Sequence, residues 1–223
     1  YYNPEVDGYE VADKFISGNV IEKSEQIESW LLEHPDHEEA QQSLAALRAA
    51  TPTPIPFAEL DFNLGERWIP AKVYSAFASE FFETEITISY QSTMDEYVLQ
   101  CDRRNGNIWH KYAVQGEFRR YDGLNLLKHA LHNTIPDINK NKEVRDLETG
   151  ETKTIKVRDG HAIQMANAKI EEIRQGFVDW LGRTPESFKQ QLSDRYNKLF
   201  NCFVRPNFDG AHQSFPDLNL KGL

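Results

Sequence analysis

The chain has 223 residues, of which 39% are hydrophobic and 12% aromatic, enough for one sizeable domain or two small ones. No apolar run approaches the roughly 18 residues of a membrane-spanning helix. Two cysteines, Cys101 and Cys202, make neither a disulfide framework nor, alone, a zinc site, so a reduced, cytoplasmic setting is expected. The net charge of −10 argues against a general nucleic-acid-coating role.

That charge is uneven. Residues 1–50 hold eleven acids against Lys14, Lys23 and Arg48, whereas residues 99–131 hold six cations against three acids. A nucleic-acid surface is therefore expected in the middle of the chain rather than at its start. The chain opens on Tyr1 without a signal-peptide pattern and is read as a piece of a larger protein.

Along the first fifty residues, Val11 and Phe15 share a helical face that Gly18 ends. Ile27 and Leu31 mark a second helix, and Ala40, Leu44 and Leu47 a third, with Pro35 between. Residues 51–56 (TPTPIP) contain three prolines and read as a linker. Pro70 opens a helix whose face is Val73, Phe77 and Phe81. The period then changes: Ile86 and Ile88, then Tyr97 and Leu99, alternate with their neighbours around a QSTMDE loop, and Ile108 to Val114 is expected as a third strand. Asp122 is the expected N-cap of a helix carrying Leu124, Leu127 and Leu131. A short hairpin follows at about 143–157, turning at Glu148-Thr149-Gly150-Glu151. Ile163, Ala166, Ile170, Ile173, Phe177 and Trp180 form the stripe of a long helix ending at Gly182. Pro185 starts another, with Phe188, Leu192, Leu199 and Phe203 inward, and the short connection predicts an antiparallel helical hairpin.

No catalytic set is complete. No glycine-rich phosphate loop is present, and Asn3-Pro4-Glu5-Val6 is only half of a methylase-type loop. His34/His37 and His129/His132 are His-x-x-His pairs without an evident third ligand. Cys101 and His110 could be drawn as nucleophile and base, but a buried structural cysteine is the simpler reading. The strongest functional stretch mixes basic and aromatic residues: Arg103, Arg104, Trp109, Lys111, Arg119 and Arg120, with His110 among them. Such groups pair with phosphates and stack on unpaired bases. The competing reading is an ordinary mixed surface.

Four strings carry a family resemblance: FISGNVIEK from Phe15, LDFNLGERWIP from Leu60, YDGLNLLKHALHNTIPDI from Tyr121 and RYNKLFNCFVRPNFDGAHQSFPDL from Arg195. They resemble, in order, segments of the very large methylase–helicase proteins of mobile elements, among them the DarB-like antirestriction proteins of phages. Ala211 stands where that family usually has Ser. The resemblance implies a place on the N-terminal side of a Swi/Snf-like helicase motor, with DNA and the adjacent helicase and methylase domains as partners. It carries no catalytic residue into this chain.

The expected fold is α+β and helix-rich. It comprises an acidic helical segment (1–50), the proline-rich linker (51–56), and an α+β domain (57–223) with a small antiparallel sheet (about 85–114), a protruding hairpin and a C-terminal antiparallel helical hairpin (about 160–203). The expected function is a non-catalytic, DNA-engaging accessory module with no cofactor, no metal and no membrane contact. A purely structural spacer is the alternative.

Overall fold

A computed structural model of the chain describes residues 1–145 and 151–206. The expected turn around Glu148-Thr149-Gly150 and the end of the string that starts at Arg195, Ala211 included, lie outside them. In chain order the elements are β1 (Tyr2–Asn3), β2 (Gly8–Tyr9), α1 (Ala12–Phe15), β3 (Gly18–Asn19), α2 (Val20–Glu33), α3 (Glu38–Ala50), α4 (Ala71–Phe82), β4 (Thr87–Gln91) and β5 (Glu96–Gln100). Then come a π-helical turn at Asn107–Lys111, β6 (Val114–Gln115), β7 (Arg120–Tyr121), α5 (Gly123–His132), β8 (Asn139–Arg145), β9 (Thr152–Arg158), α6 (Gly160–Arg183), α7 (Glu186–Phe200) and β10 (Phe203–Val204). The fold is α+β and helix-rich, and the described strands pair two by two, all antiparallel. No helix among the described residues is long and apolar enough to cross a membrane.

The chain divides into two units: residues 1–59 with the segment from Gln190 onward, and residues 60–189. The first is built on Phe15, Val20, Ile27, Ala40, Leu44 and Leu47, all buried. Val11, expected beside Phe15, is instead 73% exposed because it sits one residue before α1, whose single turn buries only Phe15. The Phe15–Lys23 string closes a knot. Gly18 takes φ +82°, and Asn19 caps α2 by accepting from the Glu22 amide at 3.1 Å. The Lys23 ammonium reaches back to the carbonyls of Phe15 (2.9 Å) and Ser17 (2.8 Å), which the end of α1 leaves unpaired.

From Gln190 onward, α7 buries a face other than the one its apolar spacing predicts. Its buried face is Leu192, Ser193 and Asn197, while Leu199 is exposed and Phe203 has left the helix for β10. The reason lies in the proline-rich stretch. Pro52, Pro54 and Pro56 have no amide to donate, so this segment cannot join a ladder, and its remaining polar groups need side-chain partners. Asn197 supplies them at Ile55, accepting from its amide (2.8 Å) and donating to its carbonyl (2.9 Å). Ser193 also donates to the Ile55 carbonyl (2.8 Å), and Asn201 donates to that of Thr53 (2.9 Å). The expected linker is a strap held along α7.

The second unit packs α4, α5 and α6 around Tyr74, Phe77, Phe82, Leu126, Leu127, Ile173 and Phe177, with ring centroids of Phe77 and Phe177 5.3 Å apart. Each fully buried side chain of this size contributes roughly 1.5–3 kcal/mol. α4 also supports β4. The Ser75 and Ser79 hydroxyls accept from the amides of Ile88 (2.8 Å) and Ile86 (3.0 Å), so Ile86 and Ile88 face the core as their alternation predicts. α6 runs one residue past Gly182.

Candidate nucleic-acid interface

The expected strand at Ile108 to Val114 is not formed. Most of it is the π-helical turn, and Asn105 and Asn107 explain why. The Asn105 amide nitrogen donates to the Phe82 carbonyl (2.6 Å) at the end of α4, and its oxygen accepts from the Ile108 amide (3.2 Å). The Asn107 side chain also donates to the Phe82 carbonyl (3.4 Å), and its backbone carbonyl accepts from the Tyr112 amide (2.9 Å), a five-residue closure that an extended strand cannot make. Ile108 is fully buried, and the wide turn leaves Trp109, His110 and Lys111 outside.

This turn brings together part of the expected basic–aromatic set. The Arg104 guanidinium lies 5.5 Å above the Trp109 ring, and Arg120 donates to the Trp109 carbonyl (3.4 Å) and to Gln115 (3.0 Å). Trp109 keeps 39% of its surface exposed. Arg104 also pairs with Asp122 at 2.5 Å, and Asp122 is the α5 N-cap, accepting from the Asn125 amide. Arg103 is exposed beside this group, and its carbonyl accepts from Cys101 Sγ (3.2 Å) and Thr84 (2.8 Å). Lys111 lies 5.0 Å from the Tyr112 ring. Arg119 is not part of the group: its guanidinium covers Tyr121 at 4.3 Å and lines a separate hollow with Phe118, Asp137 and Lys156. The cluster that forms is therefore Arg104, Trp109 and Arg120, flanked by Arg103 and Lys111.

The histidine pairs have structural partners. His34 stacks on Trp30 at 4.0 Å, and His37 caps α3 by accepting from the Ala40 amide (3.2 Å). His129 bonds Thr134 (2.8 Å), while His132 Nε2 accepts from the Tyr97 amide (3.2 Å), which places its proton on Nδ1. Burial, then the cations of Arg119 and Lys128, hold His129 below the ordinary histidine pKa. Among the described residues no three His, Cys, Asp or Glu side chains come close enough to hold a metal.

A cleft of about 920 Å³ was not foreseen in the sequence. Its walls are the loop from Phe62 to Arg67, Tyr90, Asp95 and Tyr97 of the β4–β5 hairpin, the end of α5 at His132, and Glu171 and Arg174 of α6. Its charges are matched. Asp95 accepts from the Tyr90 hydroxyl and from Arg67 (2.5 Å), contacts that hold its carboxyl below the usual range. Glu171 takes Arg174 at 2.5 Å, and Glu66 accepts from Asn63 (2.8 Å) and Trp68 (2.7 Å). The cleft is polar and internally satisfied.

Residues 63–202, more than half of the chain, match the family described as Domain of unknown function (DUF8437). The chain belongs to this family. No curated protein and no solved structure matches it. The DUF8437 segment contains the whole Arg104–Trp109–Arg120 cluster and every cleft residue except Phe62.

Proposed function

We propose that this chain is a non-catalytic, nucleic-acid-engaging accessory module, and that it contacts an unpaired strand through Trp109 with Arg104 and Arg120. The observation that carries this reading is the half-exposed indole with one guanidinium over its ring and another at its backbone. An indole offers a stacking plate to any base, and the guanidinium groups offer charge to the flanking phosphates. The four strings that resemble methylase–helicase proteins support DNA as the ligand, beside a helicase motor in a larger polypeptide.

The structural-spacer reading also has an observation in its favour, because Lys23 and Gly65 of those strings serve the fold itself. Fluorescence anisotropy with a labelled single-stranded oligonucleotide separates the two. The DNA-engaging reading expects salt-dependent binding that Trp109→Ala weakens by about fivefold or more, the lower end of base-stacking energies. Absence of binding at low salt leaves the spacer.

A further inference from the structure

We propose that the β8–β9 ribbon is a second, separate contact and that it enters the major groove of duplex DNA. The two strands hold six cations against one carboxylate, Glu143, in a chain whose net charge is −10. Seven cross-strand pairs run from Asn139↔Arg158 to Arg145↔Thr152, and almost every residue is exposed on both faces of the ribbon. At about 3.4 Å per residue the paired length exceeds 20 Å. A lone two-stranded ribbon has the cross-section that the DNA major groove admits, whereas the deep, narrow major groove of an RNA duplex does not.

The pleat decides which face is free. Directly paired residues share a face, so Lys142 and Ile155 stand with Val144 and Lys153 on one side. On the other side the lower half is occupied. Asn141 is bonded to Glu117 (2.9 Å), Lys156 covers Phe118 (5.1 Å), and Arg158 reaches Asp137 (3.2 Å). The free face sets two lysines beside Val144 and Ile155, which are 41% and 45% exposed. Lysines serve phosphates and guanine edges, and β-branched methyls serve thymine methyl groups. An exposed apolar pair between lysines, on the outer part of a strand face whose inner end is Lys140 paired with Asp159 (3.3 Å), fits a groove better than bulk water.

The ribbon is also joined to the Trp109 cluster. The turn at 116–119 that Asn141 and Lys156 grip connects β6 to β7, and β7 carries Arg120. The ribbon is thus linked to the indole cluster through a single turn, which also carries Glu117. The inference rests on the nucleic-acid reading for the class of ligand, but its site and the form of DNA are its own.

The test is anisotropy with the whole chain on a 20-base-pair duplex and on a single strand of the same length, each over a salt series. The probe protein is the double variant Lys142→Glu/Lys153→Glu, whose changes lie on the exposed face. The expected result is a loss of at least tenfold in duplex affinity. The slope of log affinity against log salt should fall by about 2, since each lysine–phosphate contact contributes about 0.9. Single-strand binding should change by less than twofold. Unchanged duplex binding, or a wild-type chain that binds single strands but not duplex, overturns the ribbon and leaves the Trp109 reading standing. Duplex binding that needs the ribbon, together with single-strand binding that ignores Trp109→Ala, keeps the ribbon and removes the other site. A duplex RNA that competes as well as DNA overturns the groove assignment.

Discussion

Gly65 lies against the backbone of Leu131 so closely that a Cβ on it would fall 1.9 Å from the Leu131 carbonyl oxygen. Its φ is +97°, a region that side chains rarely adopt. The Leu60–Pro70 loop is thereby pinned to the end of α5, and Tyr97 and Tyr74 fix it further by donating to the carbonyls of Gly65 (3.1 Å) and Glu66 (2.7 Å). Gly65→Ala combines backbone strain with a clash against main-chain atoms that cannot rotate away. We expect it to destabilise the second unit by about 3 kcal/mol or more. Urea unfolding followed by tryptophan fluorescence measures this, and a change below about 1 kcal/mol would contradict the packing described.

The strap along α7 gives a second prediction. Asn197 is buried and makes two of the three Ile55 backbone bonds described above, the third coming from Ser193. Asn197→Ala leaves the Ile55 amide without its partner beside prolines that cannot rearrange to help. A loss of about 2 kcal/mol is expected. Faster proteolysis confined to residues 51–56 is the local readout, while Asn201→Ala, which removes one bond to Thr53, should do less.

Arg103 and Arg104 are neighbours with different tasks. Arg104 neutralises Asp122, whose side chain is 4% exposed, so Arg104→Ala leaves a buried carboxylate supported only by Asn125. The cost should be about 1–3 kcal/mol. Arg103→Ala should stay within about 0.5 kcal/mol of the parent. Thermal melts of the two variants side by side check this. Any loss of DNA binding on changing Arg104 must be compared with Trp109→Ala, which touches no buried charge.

Much of the fold could be read from periodicity. Ile86 and Ile88, the Asp122 cap and the stripe from Ala166 to Trp180 stand where spacing put them, because one buried face dominates each element. Elements decided by polar side chains could not be read that way. The turn at 107–111 depends on two asparagines satisfying the end of α4, and the buried face of α7 is set by Ser193 and Asn197, which a search for apolar residues passes over. The site was legible in composition but not in direction. Arg119 and Arg120 are adjacent, and adjacent residues of an extended segment leave on opposite sides, so one reaches Tyr121 and the other Trp109. The cleft had no sequence signal, since its walls come from four segments far apart in the chain, and the ribbon was legible as a hairpin but not as a basic face.

His129 gives the pH prediction. Burial is the largest cause of its lowered pKa, followed by the positive charge of Arg119 and its neighbours. The unfolded chain, at an ordinary histidine value near about 6.5, therefore takes up the proton before the folded chain does. Stability from this group is complete above that value and is lost as pH falls through the lower folded value. The Tm should drop as pH falls below about 6.5, and His129→Gln should flatten that part of the curve. The carboxyls held low by their partners, Asp95, Asp159, Glu10 and Glu96, act in the same sense but in a separate window. Their contributions are present above their unfolded values and disappear only below about pH 4.5. An NMR titration closes the argument: Arg119→Ala removes a cation near His129, so the His129 midpoint must move up toward the ordinary histidine value. An unmoved midpoint would mean that the Arg119 guanidinium does not lie where its contact with Tyr121 puts it.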